Sequence, residues 1–275
     1  MTFSLKILVN LYLLNTFIIR NFSKIKIMCN KKIIFIKTLL LAPLLYVTSC
    51  APTHYIYNPL IIADVEEKGD YNVTGSVAIS MDNINYHLNA NIAVTDHLIF
   101  QSSVTNLSDN SKTYNYDTKG NYYDFSIGYT NNNTNNDFYI ESFVGYGLGN
   151  LKNIGIEDSS RYANFKYNKF FSQVSLNYKV NQLYFHIPIR IAYADYTTIN
   201  HGTFLNNTEG KMLNYFKENP SKWMLSIGKT ISIKVDQFKF NAFASYHSPT
   251  QIEELITFNN VYVGLGVTYF NSTKK

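Results

Sequence analysis

An all-β fold, an antiparallel transmembrane β-barrel of about ten strands in a meander, is what this sequence predicts. Three observations carry that reading. Apolar residues alternate with small or polar ones in segment after segment from Tyr71 onward. The connections between segments are alternately short and long. The composition is rich in Tyr (23) and Phe (19) beside a single Trp, with only 16% charged residues, which suits strands better than helices.

In the first segment Tyr71, Val73, Val77, Ile79 and Met81 share one face, and Asn72, Thr74, Ser76, Ala78 and Ser80 the other. In the second, Ile84, Tyr86, Leu88, Ala90, Ile92 and Val94 oppose Asn85, His87, Asn89, Asn91 and Ala93. The same pattern predicts strands over Leu98 to Val104, Tyr123 to Tyr129, Phe138 to Leu148, Phe170 to Val180, Leu183 to Tyr193, Trp223 to Val235, Phe238 to Tyr246 and Val261 to Tyr269. An even count returns the chain to the side on which it entered.

Thr95-Asp96-His97, Asn131 to Asp137, Asn181-Gln182 and Asp236-Gln237 are the short connections; Leu107 to Gly120, Gly149 to Lys169, Ala194 to Lys222 and His247 to Asn260 are the long ones. Only the first connection, between Met81 and Ile84, departs from the alternation. Insertion from the periplasm predicts short periplasmic turns and long external loops.

Periodicity alone leaves the apolar face free to point at lipid or into a soluble core, as in a lipocalin-like binding protein. Lipid is favoured by aromatics at both ends of that face: Tyr71, Tyr129, Phe138, Tyr178, Phe238 and Tyr269 at one edge, and Tyr123, Tyr146, Phe170, Tyr193, Trp223 and Tyr246 at the other. The segments also exceed the usual ~5 to 6 residues of soluble strands, and the opposite face mixes Gly, Ser, Asn and charges as a lumen would. Tyr262, Gly264, Val267 and Tyr269 follow the spacing of the C-terminal signal read by the barrel-assembly machinery. Lys229 is the misfit: by parity it faces lipid near mid-strand, at a cost of roughly 2 to 4 kcal/mol. A bulge at Gly228, a displaced register or an oligomer interface would each accommodate it.

Upstream, Lys31 and Lys32 followed by the apolar run Ile33 to Val47 read as a secretion signal. Leu45-Tyr46-Val47-Thr48-Ser49-Cys50 has the form of a lipobox, in which the Cys50 thiol takes a diacylglycerol before cleavage. The expected organisation is residues 1–27 as an over-extended start, 28–49 as lipoprotein signal peptide, 50–69 as an irregular linker held at the inner leaflet by the acyl chains, and 70–275 as barrel. With Cys29 and Cys50 the only cysteines, no internal disulfide is expected. The leader holds seven Lys and Arg and no acid, so 24 and 19 become 17 and 19, a charge of −2 from Cys50 onward. That argues against a nucleic-acid partner.

Glu67-Lys68-Gly69, Val94-Thr95-Asp96-His97-Leu98-Ile99 and Phe143-Val144-Gly145-Tyr146-Gly147-Leu148-Gly149 resemble stretches of small lipid-anchored outer-membrane barrel proteins, a largely uncharacterised bacterial group. The resemblance covers most of Cys50 to Phe270 and implies location and fold, and carries over no catalytic residue.

For chemistry, the lumen is the first place to look. Asp124, Glu141, Arg190, His87 and His186 are expected there, with His247, as a hydrogen-bonded network that plugs the barrel, Glu141 and Arg190 pairing. The competing reading is a narrow conduit, weakly anion-preferring because Lys169, Lys179, Arg190, Lys234 and Lys239 outnumber the two acids, although three of those lysines lie at periplasmic ends where they could reach water. A rim hydrolase would need Asp195, His201, His247, Glu253 and Glu254 to converge. No nucleophile elbow, His-Glu-x-x-His or phosphate loop is present. Gly145, Gly147 and Gly149 read as small lumenal residues that ease packing. No metal site or cofactor is expected. The function expected is a non-enzymatic structural or surface role in the cell outer membrane, with lipids and the assembly machinery as partners and no external partner named by the sequence.

Overall fold

The computed structural model describes residues 55–80, 83–109, 116–131, 137–202, 213–214, 216–249 and 261–272. Ten antiparallel strands form a closed barrel: β1 (Tyr71–Ile79), β2 (Ile84–Ala93), β3 (Leu98–Asp109), β4 (Tyr116–Thr130), β5 (Phe138–Gly155), β6 (Tyr162–Val180), β7 (Leu183–His201), β8 (Ser221–Val235), β9 (Phe238–Pro249) and β10 (Val261–Asn271). Each strand pairs with its sequence neighbours, and β1 closes on β10 from Tyr71↔Asn271 to Ile79↔Val263. Closure gives every strand a neighbouring strand on both sides.

The turns are built by residues that tolerate left-handed backbone. Asn181 and Asp236, each first in a two-residue connection, take φ of 54°, a region that Asn and Asp enter at low cost.

The predicted alternation holds, with the apolar face outward. Tyr71, Val73, Val77 and Ile79 are exposed while Asn72 and Ala78 are buried, and Tyr86, Leu88 and Ile92 are exposed against buried Asn85, His87, Asn89 and Asn91. Aromatics ring this surface in two rows. Tyr146, Phe170, Tyr193 and Trp223 are successive register partners across β5 to β8, and Phe138 pairs with Tyr178 at the other row. On β5, β6 and β9 the two rows are eight residues apart (138 and 146, 170 and 178, 238 and 246). That is about 26 Å of strand, or about 20 Å along the axis at a typical tilt of ~40°.

The strands run further than the periodicity suggests. Much of the expected loops at Gly149 to Lys169 and Ala194 to Lys222 is strand: β5 continues to Gly155, β6 begins at Tyr162 and β7 reaches His201. Beyond the aromatic row the polarity of the two faces inverts. Leu151, Phe165, Tyr167 and Tyr196 point inward and are buried, whereas Asn150, Lys152 and Lys166 are exposed. Leu213 and Phe216, from the connection between β7 and β8, join this inner cluster, the Phe216 ring 5.1 Å from Tyr196 and 5.9 Å from Phe165. The barrel therefore has two tiers, a lower one with a polar interior and apolar exterior, and an upper one with an aromatic-rich interior and a mixed exterior on which Lys152 and Lys166 stand beside Ile154, Ile156 and Tyr162. Between β5 and β6 the Ser160 hydroxyl and backbone N–H hold the Asp158 carboxyl below its usual pKa.

Lys229 faces outward in unbroken register. Ile189↔Ile227 and His186↔Thr230 keep one alignment on β7, and Lys229↔Ala244 lies in a continuous ladder on β9. The bulge and the displaced register are thereby excluded. Two successive rungs are missing on the β7 side, Ile187 opposite Lys229 and Pro188, which has no N–H, opposite Gly228, and the alignment is the same on either side of the gap.

Candidate functional site

Residues 55 to 65, expected as a linker outside the barrel, instead run through the lumen. Ile56, Tyr57, Asn58, Ile61, Ala63, Asp64 and Val65 are buried. An irregular segment in that position has backbone N–H and C=O groups that need partners, and the wall supplies them.

At the short-turn end, Asp64 receives hydrogen bonds from Tyr139 and Lys239 and lies 3.5 Å from His186 Nε2. Two successive backbone donors meet one carboxylate just before Asp64 takes a φ of 54°: Ala63 N–H donates to Glu141 Oε2 at 3.2 Å and Asp64 N–H to Oε1 at 2.8 Å. Asn72 donates to the Ala63 carbonyl, and Lys179 pairs with Glu66 at 3.0 Å.

Midway, Ile61 N–H donates to Gln173 Oε1 at 3.1 Å while Gln173 Nε2 donates to the Ile61 carbonyl at 2.6 Å. Asn58 donates to Asp124, whose other oxygen accepts from Gln101 (3.1 Å) and Ser103 (2.6 Å). Thr105 donates to Asn58 Oδ1 at 2.9 Å and also meets His87 Nδ1 at 2.9 Å. Leu60 lies against Gly228 and Pro188, where a Cβ on Gly228 would stand 2.7 Å from its side chain.

Toward the long-loop end, the Tyr57 ring stacks on Tyr262 at 4.0 Å and meets His247 edge-on at 4.2 Å, its hydroxyl bonded to Ser245 at 2.5 Å. Ile56 N–H donates to the Tyr167 hydroxyl at 3.2 Å. Lys169 Nζ donates to the Tyr55 hydroxyl at 2.9 Å and lies 4.0 Å above the Tyr122 ring.

The five residues expected in the lumen, Asp124, Glu141, Arg190, His87 and His186, are all buried. Their partners differ from the expected ones. Glu141 accepts from the backbone of Ala63 and Asp64, and Arg190 Nε donates to Gln173 at 3.1 Å, so the two are not paired. The cause is the inserted segment, which brings its own donors between the walls. Lys179 and Lys239, expected to reach water at the short-turn end, meet Glu66 and Asp64 instead. The basic excess reckoned from the strands alone is thus offset by Asp64 and Glu66. Beside the segment a cavity of about 60 Å³ remains, lined by Thr74, His87, Thr230, Asn241 and Thr268 among others, about two waters' worth of space.

Among the described residues, Asp195, His201 and His247 do not converge. Asp195 accepts from Ser221 at 2.8 Å, and His201 Nε2 lies 2.6 Å from Lys217 Nζ. His247 is level with Ser226 and so with Arg190, eleven residues down β7 from His201, or about 36 Å of strand. Glu253 and Glu254 lie outside the described residues. Among the described residues no three His, Cys, Asp or Glu side chains are grouped as metal ligands.

The inserted segment was missed by pattern reading, though Tyr55-Ile56-Tyr57-Asn58-Pro59-Leu60-Ile61-Ile62-Ala63-Asp64-Val65 is too apolar for a solvated linker. That composition was the available signal.

No family model and no curated protein matches this chain. Solved structures with similar architecture are outer-membrane barrels. The N-terminal β-barrel domain of Pseudomonas aeruginosa OprF is 11% identical, covering 75% of this chain and 100% of that domain with a TM-score of 0.38. The translocator domain of the autotransporter NalP from Neisseria meningitidis is 10% identical, covering 75% and 90% with a TM-score of 0.42. The outer membrane protease OmpT from Escherichia coli is 8% identical, covering 74% and 94% with a TM-score of 0.42.

Proposed function

We propose that this chain is an outer-membrane β-barrel lipoprotein, acylated at Cys50, with a non-enzymatic structural or surface-interaction role. Membrane embedding is supported by the outward apolar band between two aromatic rows about 20 Å apart, close to the ~25 Å band of outer-membrane barrels. On this reading the short turns face the periplasm, the upper tier of β5 to β7 stands in water outside, and the assembly machinery inserts the barrel among outer-membrane lipids.

The observation that carries the non-conducting role is the lumen filled by Tyr55 to Val65, tied to the wall from β1 to β10. Planar-bilayer recordings of the refolded protein are expected to show no discrete steps, and regular open steps would overturn the reading in favour of a narrow pore. The Cys50→Ser form is expected to stay in the detergent-requiring membrane fraction, since a spanning barrel needs no tether; its release would favour a tethered soluble domain. His201→Ala and His247→Ala forms should match the parent on lipid and peptide substrates, a loss of hydrolysis in either being evidence for a rim enzyme.

A further inference from the structure

The inserted segment has a direction. Its C-terminal end is at the short-turn end: Gly69 N–H donates to the Ala93 carbonyl, Lys68 N–H to Asp96, and Glu66 pairs with Lys179 near the close of β6. Going backwards along the chain, contacts climb the wall in order. Asp64 meets Tyr139 and Lys239, each second in its strand from that end. Ile61 meets Gln173, Asn58 meets Asp124, and Tyr57 meets Tyr262, second in β10 from the opposite end. Tyr55 finally contacts Lys169 and Tyr167, beside and above Phe170 of the outer aromatic row. The polypeptide therefore crosses the whole lumen between Asp70 and Tyr55, before its first strand begins.

Four residues lie between Tyr55 and Cys50, five steps along the chain. Fully extended these steps reach at most about 18 Å. The inner aromatic row is about 20 Å below the level of Tyr55, and the lumen leading back to it is already filled. Cys50 therefore cannot return to the short-turn end. The nearer lipid is at the long-loop end, where the wall is uneven. β5 to β7 rise well above the aromatic row, but β1 ends at Ile79, register partner of Val263, and Ser80 N–H bonds to the Asn83 carbonyl in a short turn into β2. Over that low side the short tether suffices to place acyl chains among lipids.

We propose that Cys50 delivers its acyl chains to the outer, cell-surface leaflet, the chain being threaded through its own barrel. This rests on the acylation and sidedness given under Proposed function. It replaces the inner-leaflet placement that the sequence suggests for a linker beside the barrel.

The test is thiol labelling of intact cells with a membrane-impermeant maleimide, using the full chain bearing Thr53→Cys, with Glu157→Cys and Gln182→Cys as markers of the two ends. Thr53→Cys is expected to label in intact cells as Glu157→Cys does, with Gln182→Cys labelling only after permeabilisation. Labelling of Thr53→Cys only after permeabilisation, with Glu157→Cys still open, overturns the threading. Reversed markers overturn the assumed orientation and with it the leaflet. Palmitate incorporation in the parent, lost in Cys50→Ser, is expected in parallel; no incorporation in the parent overturns the acylation on which the proposal stands, whatever the thiols report.

Discussion

Gln173 grips the backbone of Ile61 by both ends of its amide, accepting from the N–H at 3.1 Å and donating to the carbonyl at 2.6 Å. A side chain here does what a neighbouring strand does elsewhere, and lets a non-strand segment exist at membrane depth. Gln173→Ala leaves the Ile61 N–H buried without a partner, at about 1–3 kcal/mol, and its carbonyl with the Ser175 hydroxyl at 3.4 Å. The expected outcome is faster hydrogen exchange at residues 58 to 64 with the barrel's heat-modifiable migration intact; unchanged exchange would contradict the assigned grip.

Asp64 is the electrostatic anchor of the segment. Asp64→Asn leaves Lys239 buried without its charged partner, and breaking a buried pair costs about 3–5 kcal/mol. A lower urea midpoint is expected, partly restored by adding Lys239→Met. A double variant no more stable than the single one would mean that the pair is not what the midpoint reports.

Deleting residues 56–65 is expected to convert a silent barrel into a conducting one. Lys169, Lys239 and Arg190 would then face water without Asp64, the acid removed with the segment, so reversal potentials in a salt gradient should indicate anion preference. Cation preference would contradict the charge assignment.

Lys229 faces lipid with its register unbroken. Lys229→Leu is expected to raise the unfolding free energy by about 2–4 kcal/mol, the midplane cost of a lysine. A drop would show instead that the ammonium has a stabilising partner in the membrane.

Gly147 makes room for Tyr122, whose hydroxyl would stand 1.9 Å from an added Cβ, and Gly145 and Gly149 do the same for Phe171 and Tyr167. Gly147→Val should lower the thermal midpoint by displacing Tyr122 from beneath Lys169. Gly75→Ala, where an added Cβ meets nothing within 4 Å, is the control and should leave it nearly unchanged.

How far the fold was legible depended on which solvent a strand meets. Where lipid is outside, Tyr86, Leu88 and Ile92 against His87, Asn89 and Asn91 give one consistent parity, so ten strands and their faces could be read directly. Above the aromatic row the rule reverses. Leu151 and Phe165 turn inward while Lys152 and Lys166 turn out, and an alternation whose sense flips reads as an ending. The lumen residues were legible because charges on the polar face have nowhere else to go. Their partners were not, because Glu141 and Gln173 bond to backbone groups, which no side-chain pattern records. His201 and His247 lie on different strands at different levels, and only register supplies level.

The β1–β10 seam, from Tyr71↔Asn271 to Ile79↔Val263, closes a ring around the polypeptide that leads into it. A ring of this kind imposes an order of events. With the acylation proposed for Cys50, a thioether-linked pair of hydrocarbon tails would, once the seam is sealed, have to be drawn past Asp124, Glu141 and Arg190 to reach the far end, and those side chains offer such tails no solvent. On that proposal the thread is laid first and the seam sewn last, so that the residues before the first strand decide the geometry that the last strand completes.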